Sequence, residues 1–267
     1  MNGGREMPLT DVSGKAKALY EARRSRQAIE PFTDVDPDLG MADGYAIAQQ
    51  LTAMLVNDGD TVIGYKVGLT SKPMQQMIGV DSPDHGPVLG STVYADGDAV
   101  SLSHFIQPKI EAEIAFVLGS PLRGPGVTLL EARRAITGMA AAMEIVDSRF
   151  ADWRIRLADT VADLASNGAV AVSSRLVPLD GLDPRLIGMV LTRSGALVDT
   201  GAGAAALGDP VAVVAWLANT LGEMGAGLEA GQLIMTGALH AAVPMLAGDV
   251  YRAEFDRLGP VTIRVVE

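Results

Sequence analysis

The sequence predicts an α+β protein, a helical N-terminal region on a β core, and three observations predict it. Asp11 to Arg26 and Met41 to Val56 place apolar residues at helical spacing, the first through Ala16, Leu19, Tyr20 and Ala22. From Thr61 the pattern changes to short apolar runs bounded by turn residues, beginning with TVIGYKVGLTS. From Gly231 to Val266 strands alternate with turns as QLIMTG, an AGD turn, VYRAEF and VTIRVV, which suggests a closed or sandwich-like β core. The expected division is residues 1–60 as the helical region and 61–267 as the β domain, together one structural unit.

The elements follow in order. Pro31, Asp34, Pro37, Asp38 and Gly40 make a turn-rich connector between the two helices. The Thr61 strand carries one charge, Lys66, before the Gly68–Ser71 turn. On the strand alone such a lysine is read as snorkelling to the surface; buried, its ammonium would be drawn to an acidic site or its pKa would fall. Lys72 to Ile78 reads as a short amphipathic segment in which Met74 and Met77 pack. In GVDSPDHGPVLGS the default is a surface loop, and the functional reading is a lid or pocket loop presenting Asp81, Asp84 or His85.

The central stretch is Gln107 to Leu118, QPKIEAEIAFVL. Strand alternation sends Glu111 and Glu113 to one face, roughly 7 Å apart along the chain, and Ile110, Ala112, Ile114 and Phe116 to the other. Glutamates in solvent on a half-exposed strand are the plainer reading of this stretch in isolation. The run then continues as AFVL, apolar on both faces, which takes the acidic end inward. Buried acids need a cation, a shared proton or a basic side chain.

Thr128 caps a helix, with Glu131 completing a capping box, that runs through Leu129, Leu130, Ala132 and Ile136. Met139 to Val146 is apolar on both faces except for Glu144 and leads into Asp147-Ser148-Arg149 and the Trp153 segment. DTVADLASNG precedes a strand at Ala169 to Ser173, and Leu186 to Thr192 with Ala196 to Thr200 flank a hairpin turn at Arg193-Ser194-Gly195. Gly201 to Gly208 lacks the spacing of a dinucleotide fingerprint, and Pro210 to Leu221 reads as a buried helix starting with proline.

Composition narrows the function. A chain of 267 residues, 48% hydrophobic, can bury a large core. A net charge of −11 with no basic stripe argues against nucleic acid and anionic membrane as partners. The absence of cysteine excludes thiolate ligands, a cysteine nucleophile and disulfides, and fits a cytoplasmic location. No signal-peptide pattern opens the sequence, and the longest apolar run, Pro210 to Leu221, is too short to span a bilayer, so a soluble protein is expected. What remains is three glutamates in apolar surroundings, Glu111, Glu113 and Glu144, an oxygen-only ligand set suited to Mg²⁺ or Mn²⁺ and to a substrate with its own chelating oxygens.

GYKVGLTS, GVDSPDHG, QPKIEAEIAFVL, MEIVDSRFADW, DTVADLASNG, WLANTLG and IMTGAL with AGD, in that order, resemble the 2-keto-4-pentenoate hydratase and 4-oxalocrotonate decarboxylase family of the fumarylacetoacetate hydrolase superfamily. The resemblance covers nearly all of the chain from about Gly64. It implies a mixed β-roll, barrel-like, as the catalytic domain behind the N-terminal helices, and a homo-oligomer, a pentamer or decamer. It implies a divalent cation on Glu111, Glu113 and Glu144, an active-site Lys66 and a loop Asp84. Leu69, Ser166 and Thr236 are the substrate-contact candidates. The chain departs from the family at Leu164 and Asn167 of DLASNG, where DNAS followed by Ser or Cys is usual, and at His85, where an aromatic is usual. The implied activity is hydration of 2-hydroxypenta-2,4-dienoate, or a close analogue, in aromatic meta-cleavage catabolism. Decarboxylation of 2-oxo-3-hexenedioate is the alternative. A C–C hydrolase using His104 or His85 and a non-catalytic metal-stabilised subunit rank behind both.

Overall fold

The computed structural model describes residues 11–72, 75–76 and 80–267. Helix α1 (Val12–Ser25) opens with the Asp11 carboxylate accepting from the Gly14 N–H, and Arg26 closes it in the left-handed region. A single turn, α2 (Phe32–Val35), precedes α3 (Met41–Asn57). The apolar stripe seen in the sequence is the buried face: Ala16, Leu19, Ile47, Ala48 and Leu51 meet Phe150, Ala158, Ala162 and Leu164. The N-terminal helices thus share a core with a much later stretch of chain.

The strands form two open, mixed sheets. The larger runs β2 (Asp84–Leu89), β1 (Val62–Gly68), β10 (Leu233–Met235), β5 (Lys109–Leu118), β6 (Ile136–Val146), β7 (Asn167–Val172) and β3 (Val93–Ala95), with β11 (Val243–Pro244) also on β5. The smaller runs β4 (Ala99–Ser101), β13 (Gly259–Val266), β12 (Val250–Phe255), β8 (Gly188–Arg193) and β9 (Ala196–Ala202). The α+β reading with an N-terminal helical region holds, but the order of each sheet is an open path, so the core is a roll of two sheets rather than a closed barrel. Their inner faces share the main core. Ile114, Phe116, Met139 and Met143 of β5 and β6 lie with Tyr251, Phe255, Val261 and Ile263 of β12 and β13. Helix α5 (Pro210–Glu223), with proline in its first turn and an Asp209 cap, adds Val213, Val214 and Leu217 to that core.

Two stretches differ from expectation. The Gly- and Pro-rich segment read as a surface loop becomes β2, buried along its whole length and antiparallel to β1. Helix α4 (Leu129–Ala135) has the expected Thr128–Glu131 capping box but ends one residue early, because Ile136 already pairs with Leu118 as the first residue of β6. The Ser194-Gly195 hairpin turn is as read, both residues having positive φ, which suits the right-handed twist of the flanking strands. Met74, Met77 and Ile78 lie outside the described residues.

Strand β1 approaches β10 so closely that a Cβ at Gly64 would stand 1.8 Å from the Leu233 carbonyl oxygen. Gly64→Ala is expected to push these parallel strands apart and cost about 3 kcal/mol or more, read as a lower denaturant midpoint in urea melts.

Candidate metal centre

The site lies on the face of the large sheet turned away from the main core. Small residues clear it: Ala115 and Ala142 pack with Val88, Val170 and Met235 on that face. Strand alternation puts Glu111 and Glu113 of β5 there, as the sequence indicated. Cross-strand register supplies the third acid, since Glu144 of β6 is the direct partner of Glu111. One carboxylate oxygen from each of the three lies within 4.8 Å of the others. Glu113 and Glu144 are buried and Glu111 is half-buried.

The cationic partner comes from β1. Lys66 is buried, its Nζ 3.4 Å from Glu144 Oε1 and donating to the Ala165 carbonyl at 2.8 Å. The surface reading of this lysine is therefore overturned. Asp84 enters from β2, where it pairs with Gly68, and it too is buried. A Cβ at Gly68 would fall 2.3 Å from Asp84 Oδ1 and 3.3 Å from Lys66 Nζ, so the absence of a side chain there keeps both groups accessible to each other.

The electrostatics are unbalanced. Burial, then repulsion from Glu144, raises the Glu111 pKa to about 7; burial and the other two glutamates push Glu113 well above its usual value. Glu144 is also raised by burial, against the pull of Lys66. Asp84 is raised by burial, again partly offset by Lys66. For Lys66 burial opposes charge, but Glu144, Asp84, Glu111 and Glu113 together outweigh it and raise its pKa. Four carboxylates thus face one ammonium. Glu113 Oε2 accepts from the Gly237 N–H at 2.8 Å, yet Glu113 Oε1 and Asp84 Oδ1 are buried with no hydrogen-bond partner. Hard oxygen donors, an unsatisfied buried carboxylate oxygen and excess negative charge fit a divalent cation held by Glu111, Glu113 and Glu144.

The three substrate-contact candidates sit around this centre in different states. Leu69 follows β1 with φ of 55°, and its carbonyl accepts from Gln75 Nε2. Thr236 is fully buried and its hydroxyl donates to the Ile114 carbonyl at 2.7 Å. Ser166 shares a 3.0 Å hydrogen bond with Thr160. Leu164, Ala165 and Ser166 all have positive φ, a strained run that turns the Ala165 carbonyl onto Lys66.

The departures from the family pattern also have places. Leu164 packs into the N-terminal helical cluster. Asn167 donates from Nδ2 to Glu144 Oε1 at 3.0 Å and so orients a ligand carboxylate. His85 points away from Asp84 along β2, stacked on Tyr45 with ring centroids 4.7 Å apart and edge-on to Tyr65 and Trp216. Burial lowers its pKa to about 4, so it is a neutral ring in an aromatic setting. His104 is exposed, bonded to the Tyr94 hydroxyl, and stands apart from the glutamates.

Three contributors escaped the sequence reading. Gly237, at φ of 97°, gives Glu113 its N–H. His240 Nε2 accepts the Ala112 N–H between the two strand glutamates. Arg149 is fully buried between Asp147 and Asp163 and ties the end of β6 to the turn that carries Ala165 and Ser166. DSR and ADL, fourteen residues apart, held that ion pair, but nothing local showed that the two meet.

Three glutamates on neighbouring strands of a two-sheet roll, with a buried lysine and aspartate beside them, define an oxygen-donor site of the class that suits a hard divalent cation. The family model described as fumarylacetoacetate (FAA) hydrolase C-terminal matches residues 81–266, and the chain belongs to that family. It is 44% identical over 246 residues to the 2-keto-4-pentenoate hydratase of Paraburkholderia xenovorans (strain LB400), covering 92% of this chain and 91% of that one. It is 40% identical to the 2-hydroxyhexa-2,4-dienoate hydratase of Comamonas testosteroni, over 96% and 98% of the two chains. The structure of 4-oxalocrotonate decarboxylase from Pseudomonas putida G7, complexed with magnesium and adipate, superposes with a TM-score of 0.94 at 35% identity, covering 98% of this chain and 100% of that one.

The raised carboxylate pKa values carry a stability signature. In the metal-free folded protein burial raises the pKa of Glu111 to about 7 and those of Glu113 and Glu144 above their usual value, so the folded state binds more protons than the unfolded chain and stability falls as pH rises toward and through about 7. With chelator present, urea melts are expected to show a loss on the order of 2 kcal/mol between pH 5 and pH 7.5. Saturating Mg²⁺ should restore more at pH 7.5 than at pH 5, where protons compete for the same oxygens. A flat chelated profile would contradict the assignment.

Proposed function

We propose that the chain is a divalent-metal-dependent hydro-lyase that adds water to 2-hydroxypenta-2,4-dienoate (2-oxopent-4-enoate), or a close analogue, to give a 4-hydroxy-2-oxo acid. The observation that carries this reading is the buried set of Glu111, Glu113 and Glu144 with Lys66 and Asp84 beside it, on a chain similar over nine-tenths of its length to a 2-keto-4-pentenoate hydratase. Glu111, Glu113 and Glu144 would hold Mg²⁺ or Mn²⁺, which would supply positive charge and Lewis acidity toward the oxygens of a 2-oxo acid.

The chain's own groups do the rest. Lys66 remains an ammonium because four carboxylates surround it, so it stabilises negative charge on the enolate end and donates a hydrogen bond there. Asp84 has a buried unpaired oxygen and a raised pKa, the properties of a group that takes and returns a proton. The dienol loses its O2 proton as C5 gains one, giving the α,β-unsaturated ketone. Water then adds its oxygen to C4 and a proton arrives at C3. In this scheme Asp84 shuttles these protons or orients the water, and Leu69, Ser166 and Thr236 hold the substrate.

A second reading is favoured by one observation, the 35% identity and near-complete overlap with 4-oxalocrotonate decarboxylase. Both reactions pass through a dienolate of a 2-oxo acid, so the centre serves either. A homo-oligomeric assembly, pentamer or decamer, and a cytoplasmic location belong to this proposal and are checked by native mass and by fractionation.

The purified protein with Mg²⁺ or Mn²⁺ is expected to consume 2-hydroxypenta-2,4-dienoate, followed by loss of its ultraviolet absorbance, and to release no CO₂ from 2-oxo-3-hexenedioate. CO₂ release without hydration would reverse the two readings. Lys66→Ala is expected to lower turnover by about a hundredfold or more while calorimetry shows the metal still bound. Unchanged turnover would remove Lys66 from its role.

A further inference from the structure

A cavity of about 450 Å³ opens beside the C-terminal end of helix α1, and its lining brings together four arginines and two aspartates. Arg23, Arg24 and Arg26 come from α1 and its cap, and Arg149 from beyond β6, more than a hundred residues later. Basic residues in the last turn of a helix suit its dipole, which accounts for Arg23 and Arg24 on the helix but not for their convergence with Arg149.

Counted by residue the charges balance, four arginines against Asp58, Asp60, Asp147 and Asp163, but two of the arginines make no ion pair among the described residues. Arg149 is neutralised by Asp147 and Asp163, and Arg24 is turned to Asp58. The two acids on the lining are already engaged. Asp147 accepts from the Ile106 and Gln107 N–H groups and from Arg149; Asp60 accepts from the Thr61 and Ser91 N–H groups and the Ser91 hydroxyl. Arg23 donates one N–H to the Asn167 carbonyl, while its buried Nε has no acceptor. Arg26 has no ion pair among the described residues. Burial, then Arg149, lower the Arg23 pKa to about 9, against the pull of Asp163 and Asp147. Arg23 and Arg26 are thus the two guanidinium groups on the lining without an ion pair, in a protein of net charge −11.

We propose that this cavity binds a small molecule bearing an oxyanion, a carboxylate or a phosphate, at a site separate from the metal centre. Guanidinium forks match both oxyanions in bidentate geometry, and Leu55, Leu89 and Phe105 on the same lining leave an apolar wall for the rest of the ligand. Asn167 stands between the two sites: its carbonyl accepts from Arg23 and Arg149, and its side chain donates to Glu144.

The test titrates the magnesium-loaded full chain with inorganic phosphate and, separately, with pyruvate, at constant ionic strength against chloride, read by calorimetry and thermal shift. Because pyruvate is itself a 2-oxo acid that the metal centre can take, the readout is the difference made by Arg26→Ala, an exposed position remote from the glutamates. Saturable binding should weaken about tenfold in Arg26→Ala and less in Arg26→Lys, with Mg²⁺ affinity unchanged. A response to phosphate or to pyruvate that Arg26→Ala weakens supports the proposal, and which of the two responds names the source. Binding no stronger than chloride, or equal in Arg26→Ala, overturns it. So does a change in native mass without a change in anion binding, which would give the cavity to a second copy of the chain.

Discussion

One buried ammonium facing four carboxylates is the constraint on which the rest of this structure depends. Lys66 and Glu144 make a close pair, but a pair alone would leave Glu113, Glu111 and Asp84 to be desolvated without compensation. The cost of burying charge is large enough that such groups take up protons unless something positive joins them. The surroundings hold the acids in place without neutralising them. Gly237 and Asn167 each give one hydrogen bond, and the Ala112 N–H between the two strand glutamates is engaged by His240 rather than left to a carboxylate. Ala115 and Ala142 keep the side chains on this face of the sheet small, where they pack with Val88, Val170 and Met235.

How far this was legible in the sequence depended on the range of the interaction. The alternation of Glu111 and Glu113 is a property of five consecutive residues, and it was readable because Ile110, Ala112 and Ile114 fill the opposite face. The partnership of Glu144 with Glu111 is a property of register across two strands separated by helix α4, and no local pattern fixes register. The same limit hid β2. Gly79, Pro83, Gly86 and Pro87 are turn residues by local propensity, and only the pairing with β1 makes Asp84 to Leu89 a buried strand. The burial of Lys66 was likewise decided by partners far along the chain, Glu144 and Ala165. The order of family motifs carried information that single stretches did not.

The departures from the family pattern show how a site is altered without being dismantled. Leu164 is satisfied by the apolar cluster under the N-terminal helices, so the helical region and the turn above the metal centre are packed as one piece. Asn167 exchanges a small side chain for an amide that reaches Glu144, which places an uncharged donor on a ligand already attracted by Lys66. His85 behaves as one more aromatic ring, stacked on Tyr45, and lies on the face of β2 that the metal centre does not use. Of the three, Asn167 alone touches the glutamates.

The charge state of Lys66 also limits the chemistry the centre can run. An ammonium held by four carboxylates above its usual pKa is no base at neutral pH, so proton removal must fall to a group whose affinity for protons has been raised instead. In the scheme proposed above that role falls to Asp84, whose pKa burial raises and one of whose oxygens is buried without a hydrogen-bond partner. Hydration and decarboxylation make the same demand on the metal end, where a dienolate has to be stabilised, and diverge at the far end of the substrate. There one needs a water oriented toward C4 and the other a carboxylate free to leave. Discrimination between them therefore rests on what surrounds the substrate beyond Lys66 and Asp84, and not on the three glutamates that first gave the site away.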